Sequence, residues 1–315
     1  MLGRTANDLF WLSRYMERAE NMARLIEVSY RIGLIPRQGA GQFEEWRSAL
    51  ASSGHEQRYF EKHGKLSARD VIDFLLFDPA NPSSIHSCLA TARQNGRAQR
   101  TSLTHDMWES LNSTWLEFAA IKPDSMTVSG LAGFLSWVKQ RSALFRGALE
   151  GTILRNDTWF FSRLGAFIER ADNTARILDV KYYVLLPEYD MIGSGVDTQQ
   201  WSAILRSVSA HRSYRWVYHE TYKPWLVAEY LILNRLMPRS LAFAYEEISQ
   251  TMRELSQFYH RELPAAAMAE ETAGLLRDGD MGRIFQAGLH EFLTDFTRRN
   301  SALSDQIARD YHFVD

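Results

Sequence analysis

The sequence predicts an all-α protein, an internally duplicated helical bundle with pseudo-twofold related halves. Three observations predict it. Apolar residues recur at helical spacing over long windows; alternating Val/Ile/Thr-rich runs bounded by Asn-Gly or Asp-Gly are absent; and a polar segment near the N-terminus reappears about midway along the chain.

Leu12, Tyr15, Met16, Ala19, Ala23, Ile26 and Tyr30 follow the helical period and place a long helix from about Asn7 to Arg31, with Gly33 and Pro36 as its stop. Ser67 followed by Asp70 reads as a capping pair for a helix over Ala68 to Phe77. Asn81-Pro82 sets a capping side chain before a proline suited to a first helical turn, and the helix that follows runs to about Arg100. Asn156-Asp157 opens another long helix that ends near Pro187.

The repeat is collinear. Tyr15-Met16-Glu17-Arg18-Ala19-Glu20-Asn21-Met22-Ala23-Arg24-Leu25 returns 152 residues later as Phe167-Ile168-Glu169-Arg170-Ala171-Asp172-Asn173-Thr174-Ala175-Arg176-Ile177. Trp46 and Leu50 match Trp201 and Leu205 at offset 155, and the run from Val71 to Asp78 matches Val227 to Asn234 at offset 156. Pro82, Ser84 and Arg97 meet Pro238, Ser240 and Arg253 at that same offset, and Gly133-Phe134-Leu135-Ser136 matches Glu291-Phe292-Leu293-Thr294 more weakly. A slowly drifting offset is what duplication followed by small loop changes leaves. The halves are 1–155 and 156–315, and with no Pro/Gly/Ser-rich linker between them they are expected to pack as one globular unit.

Composition narrows the function classes. A chain of 315 residues holds about two domain-sized units. Its 45% hydrophobic and 23% charged residues and net charge of −2 belong to a folded globular protein, without the basic field that would recommend nucleic acid as a partner. The single cysteine, Cys88, can form no internal disulfide and supply no Cys-rich metal site, so a reducing cytoplasm is expected. The start of the chain lacks a basic segment followed by an apolar run. The most apolar candidate span, Trp225 to Leu233, is short and carries Glu229, so no membrane partner is expected.

On a helix, Glu17, Asn21, Arg24 and Val28 fall on one narrow face with Glu20 at its edge and Arg18 about a quarter-turn away; Glu169, Asn173, Arg176 and Val180 repeat the face, flanked by Asp172 and Arg170. Such residues can form a polar lock between two packed helices. They can also form a binding site in which Arg24 and Arg176 grip a carboxylate or phosphate while Glu17 and Glu169 orient an amine or hold a cation. Acid–base catalysis by the two glutamates is the third use. The binding candidates are therefore Glu17, Arg18, Asn21, Arg24, Glu169, Arg170, Asn173 and Arg176, with no catalytic residue assigned.

Metal and cofactor chemistry find no motif. No acidic residue has a histidine three positions later, and His55-Glu56, His219-Glu220 and His290-Glu291 all lack the second histidine of His-Glu-x-x-His. Phosphate-cradling glycine loops and Ser-centred hydrolase motifs are missing, and Cys88 reads as a buried thiol among Ile85 and Leu89. No metal and no cofactor are expected. His211 to Lys223 mixes cations with aromatic rings, as does His55 to Lys65; rings packed on the core with Arg and Lys reaching solvent is the preferred reading over a stacking surface for bases or peptide.

The doubled Glu17-Arg18 and Glu169-Arg170 motif, with Asn81-Pro82-Ser83-Ser84-Ile85 and Met237-Pro238-Arg239-Ser240-Leu241, resembles the bacterial Alpha-E family over nearly the whole chain. That resemblance implies a context: circularly permuted ATP-grasp ligases, transglutaminase-like proteins and proteasome-like N-terminal-nucleophile hydrolases as associates. It implies no catalytic residue. Three readings follow: an accessory helical subunit that binds an ATP-grasp-type ligase and its acceptor, an enzyme of amide or peptide chemistry using the paired Glu/Arg faces, or a structural scaffold.

Overall fold

The computed structural model describes residues 1–35, 44–121, 128–183 and 195–313, and among these the secondary structure is helical throughout, with no strand. In chain order the helices are α1 (Gly3–Gly33), α2 (Glu44–Ser53), α3 (Glu56–His63), α4 (Ala68–Leu76), α5 (Ile85–Ala98), α6 (His105–Ala119), α7 (Val128–Thr152) and α8 (Asp157–Tyr183). There follow α9 (Gly195–Ser207), α10 (His211–Tyr218), α11 (Pro224–Ile232), α12 (Leu241–Tyr259), α13 (Pro264–Arg277), α14 (Met281–Ala287) and α15 (Leu289–Asp310).

The two longest helices, α1 and α8, pack against each other at the centre, and every other layer is laid on them. α5 and α7 cover α1, α12 and α15 cover α8, α2 touches both central helices, and α9 lies mainly on α1. The outer helices follow from these: α6 on α5 and α7, α13 on α12 and α15, α10 and α11 on α9. Buried side chains of both halves join in one core, from Leu9 and Phe10 through Phe161 and Leu164 to Ile307.

Being covered by other helices along most of their surface changes what the central helices must carry. Leu12, Ala19, Ala23 and Ile26 of α1 are buried as the apolar stripe requires, and so are Glu17, Glu20, Asn21 and Arg24. The face read as polar is thus an internal one. Close approach of α1 and α8 rests on Gly165, where an added Cβ would stand 2.1 Å from the Phe10 carbonyl oxygen.

Element boundaries differ from the sequence reading where tertiary contacts decide them. α1 begins at Gly3 rather than Asn7, without a side-chain cap, because its first turn is held against the C-terminal turn: a Cβ on Gly3 would collide with the His312 carbonyl. It ends at Gly33, while Pro36 lies outside the described residues. Ser67 accepts from the Asp70 amide (3.3 Å), and the helix it caps stops one residue short of Phe77. Asn81 is not the cap of α5. Ser84 is, accepting from Ser87 N (3.1 Å), while Asn81 bonds Ser83 N and the Phe74 carbonyl in the preceding turn. α5 ends at Ala98 rather than Arg100. Asp157 opens α8, which is described as far as Tyr183; the stop expected near Pro187 lies outside the described residues.

Candidate functional site

The Glu-Arg pairs meet across the α1–α8 seam, and they meet reciprocally. Arg170 donates to both oxygens of Glu17, Nε to Oε1 at 3.0 Å and Nη2 to Oε2 at 3.1 Å. Arg18 does the same for Glu169, Nε to Oε1 at 2.6 Å and Nη2 to Oε2 at 2.9 Å. Each glutamate is therefore held by the arginine of the other Glu-Arg motif, in the two-point geometry that a planar guanidinium makes best. Asn21 adds a hydrogen bond to the Glu169 carbonyl (3.1 Å). Ser142 of α7 and Asn300 of α15 brace the backbone one residue before each glutamate, at Met16 O (3.3 Å) and Ile168 O (3.0 Å).

Further arginines complete each carboxylate differently. Arg14 Nε reaches Glu169 Oε2 (2.9 Å), with Nη1 on Ser304 and the guanidinium lying 4.5 Å from the Trp11 ring. Arg146 bridges Glu17 (2.8 Å) and Glu20 (2.6 Å), and Arg239 pairs with Glu17 (3.2 Å) and donates to Glu20. Burial by itself would raise the glutamate pKa values. Arg170, Arg146 and Arg239 outweigh it and hold Glu17 at about 2; Arg18 and Arg14 do the same for Glu169, also at about 2. Glu20 is held well below the ordinary range by Arg239, Arg24 and Arg146 against the same burial. Arg239, fully buried, is pulled down to about 10 by desolvation that Glu20 and Glu17 offset in part.

Carboxyl groups so firmly ionised make poor proton donors or acceptors near neutral pH. Their linkage to stability has a definite sign. A folded pKa depressed to about 2 means that the stabilisation is complete above the ordinary value of 4.5 and is lost as pH falls from there toward 2. Melting curves recorded between pH 7 and pH 2.5 are expected to show most of the acid destabilisation below about pH 4.5, with a shallower slope there in the Glu17→Gln/Glu169→Gln double variant. Equal slopes in the two proteins would refute this assignment.

Arg24 and Arg176 occupy a second tier. Arg24 chelates Glu20 within α1 (2.7 and 3.0 Å) and donates to the Ser207 carbonyl and Ser209 Oγ (3.1 Å) at the end of α9. Arg176 chelates Asp172 within α8 (2.6 and 3.4 Å) and donates to the Ser52 carbonyl (2.8 Å) at the end of α2. Both thus satisfy a helix C-terminus contributed by the other half, where cations are favoured. Left-handed residues follow in each place, Gly54 (φ +75) and Ser209 (φ +59).

The tiers diverge in exposure. Arg24 is buried, whereas the Arg176 side chain is 37% exposed and lines a cleft of about 180 Å³ on the seam. Arg18 and Asn21 of α1 and Glu169, Asp172 and Asn173 of α8 form its walls, with His55 and Ser83 from the turns before α3 and α5. Of the candidate residues, Arg18, Asn21, Glu169, Asn173 and Arg176 line this cleft, while Glu17, Arg24 and Arg170 lie in the interior. Asn21 Oδ1 and Asn173 Nδ2 are buried without a hydrogen-bond partner among the described residues. Burial, and the nearby Arg176, Arg58 and Arg18, lower the pKa of His55 despite its bond to the Ser53 carbonyl.

Sequence reasoning missed Arg14, Arg146 and Arg239, because they come from a different turn of α1, from α7 and from the turn before α12. Arg239 had a visible signal: it stands opposite Ser83 in the matched proline turns. Cys88 is buried, which pushes its thiol up to about 12 and makes it a packing residue. Among the described residues no three histidine, cysteine or acidic side chains gather as metal ligands would, and no helix is long and apolar enough to cross a membrane. The segment from His211 packs Tyr214 and Tyr218 against Tyr230, yet Trp216 is 74% exposed.

Fold and site together define an all-helical protein built on a reciprocal Glu-Arg lock between two central helices. The chain belongs to the Alpha-E family, described as a predicted alpha-helical domain with a conserved ER motif, whose profile matches residues 1–312. Similar proteins include uncharacterised proteins of Mycobacterium bovis (33% identical over 117 residues) and of two strains of Mycobacterium tuberculosis (33% and 32% over 117 residues). Each match covers 33% of this chain but 13% of the relative, so the matched segment is a small part of much longer proteins. No solved structure matches.

Proposed function

We propose that this protein is a helical accessory subunit of an ATP-grasp-type peptide ligation or protein-modification system, in the cytoplasm, binding the ligase and presenting its acceptor. The observation that carries the reading is the length of the relatives: the matched segment makes up 13% of them, as befits a module working beside a larger machinery. Two features of the chain support it. The firmly ionised, arginine-paired glutamates suit a rigid support better than acid–base chemistry, and the cleft beside Arg18 and Arg176 offers a place for an acceptor group. Transglutaminase-like or proteasome-like proteins are the further partners that the family resemblance suggests. The same reading treats 1–155 and 156–315 as duplicated halves, supported by the parallel layering of α5 and α7 on α1 and of α12 and α15 on α8.

Affinity purification of the tagged chain from its native cells, with partners identified by mass spectrometry, tests the partnership. A circularly permuted ATP-grasp ligase is expected at near-stoichiometric yield. Trp216→Ala is expected to reduce that yield several-fold at unchanged thermal stability, since an exposed tryptophan ring is a common energetic anchor of protein interfaces. Recovery of the folded chain without such a ligase would overturn the reading.

A further inference from the structure

The two sides of the seam carry matched acidic pairs, Glu17 with Glu20 on one side and Glu169 with Asp172 on the other, and only one side is filled. On the filled side the guanidinium of Arg239 lies between Glu17 and Glu20, and Arg146 closes over both. On the open side Ser83 stands where the matched turn has Arg239: Ser84 caps α5 as Ser240 caps α12, which fixes the two turns in equivalent roles. A short hydroxyl in place of a long guanidinium leaves the cleft of about 180 Å³.

We propose that this cleft binds a guanidinium group supplied by a ligand, which takes the place that Arg239 fills on the other side. The acceptors left over point that way. Asp172 receives hydrogen bonds from Arg176 alone among the described residues, whereas Glu20 receives them from Arg24, Arg146 and Arg239. Among the described residues Glu169 Oε1 accepts from Arg18 alone, while its counterpart Glu17 Oε1 faces both Arg170 and Arg239. Asn21 Oδ1, buried at the cleft wall, is a further acceptor that receives no hydrogen bond among the described residues. The arginines present are poorly placed to compete for an anion, since Arg18 and Arg176 already chelate Glu169 and Asp172 at two points each. One added guanidinium brings the open side to the cation count that the filled side carries. The volume is right as well, since a dry cavity of about 150 Å³ accommodates a benzene-sized molecule.

The guanidinium sits either on a free small molecule or on an arginine of a protein segment, and binding is read on the purified protein, so an absence of binding leaves the ligase partnership untouched. Titration calorimetry is run with agmatine, with an acetyl-Gly-Arg-Gly-amide peptide, and with acetate and phosphate as anionic controls. Saturable binding of agmatine alone assigns the site to a free molecule; peptide binding roughly tenfold tighter than agmatine assigns it to a protein segment. Ser83→Arg is expected to fill the cleft from within, weakening binding at least about tenfold without lowering the melting temperature. Should that variant fail to fold, Asp172→Asn carries the test, with a comparable loss of binding expected. Binding of neither guanidinium compound, binding of the anions in their place, or wild-type affinity in the folded variants would overturn the proposal.

Discussion

Replacing Glu17 or Glu169 by glutamine is expected to cost about 3–5 kcal/mol of stability, the usual penalty for leaving buried charges without their partner. Glu17 is 2% exposed and Glu169 4%; the change strands Arg170 and leaves Arg146 and Arg239 to Glu20 alone in the first case, and strands Arg14 and Arg18 in the second. By the usual scaling of melting temperature with stability this is roughly 5–8 °C for a chain of this length. Glu17→Gln combined with Arg170→Gln is expected to cost less than the sum of the two single changes, because the second change removes a charge that the first had already stranded. Strict additivity, or a single variant melting at the wild-type temperature, would show that the reciprocal pairs do not hold the central helices together.

Gly165→Ala is the second large effect. Its Cβ would lie 2.1 Å from the Phe10 carbonyl oxygen and 3.0 Å from the carbonyl carbon, so the obstacle is backbone and no rotamer relieves it. α1 and α8 must separate, stretching Glu17–Arg170 and Glu169–Arg18 together. A loss of about 3 kcal/mol is expected even though alanine favours a helix by about 1 kcal/mol over glycine. Gly147→Ala in α7 is the control, since an added Cβ there meets nothing within 4 Å, and it is expected to leave stability unchanged or slightly raised. Denaturant melts on both variants decide the point; equal behaviour would mean that the seam is looser than the geometry requires.

Much of this architecture is legible in the sequence alone. The helical period around Leu12 to Ile26 placed α1 correctly, and Ser67 marked the start of α4, because both signals are local. The start of α1 and the cap of α5 were misplaced, because contacts with His312 in one case and the Asn81 turn in the other override local preference. Glu17, Arg18, Glu169 and Arg170 were singled out by their repetition, yet the partner of each was not. Helical spacing brings Glu17 near Asn21 and Arg24, whereas the actual partner, Arg170, sits 153 positions away. Arg146 is hidden for the same reason, Arg239 shows only as the residue opposite Ser83, and the open cleft is not legible because it depends on a side chain that Ser83 lacks.

Crossed pairing has an evolutionary consequence. An acidic side chain in the N-terminal half answers to a basic one in the C-terminal half, and the other way round. A charge lost at Glu17 therefore cannot be compensated by its chain neighbour Arg18, which is committed to Glu169. Among the crossed pairs the repair must come from more than a hundred codons away, at Arg170 or Arg239. Hybrids of two relatives joined between α7 and α8 are therefore expected to lose stability wherever the residues on the two sides of the junction do not match across the α1–α8 seam.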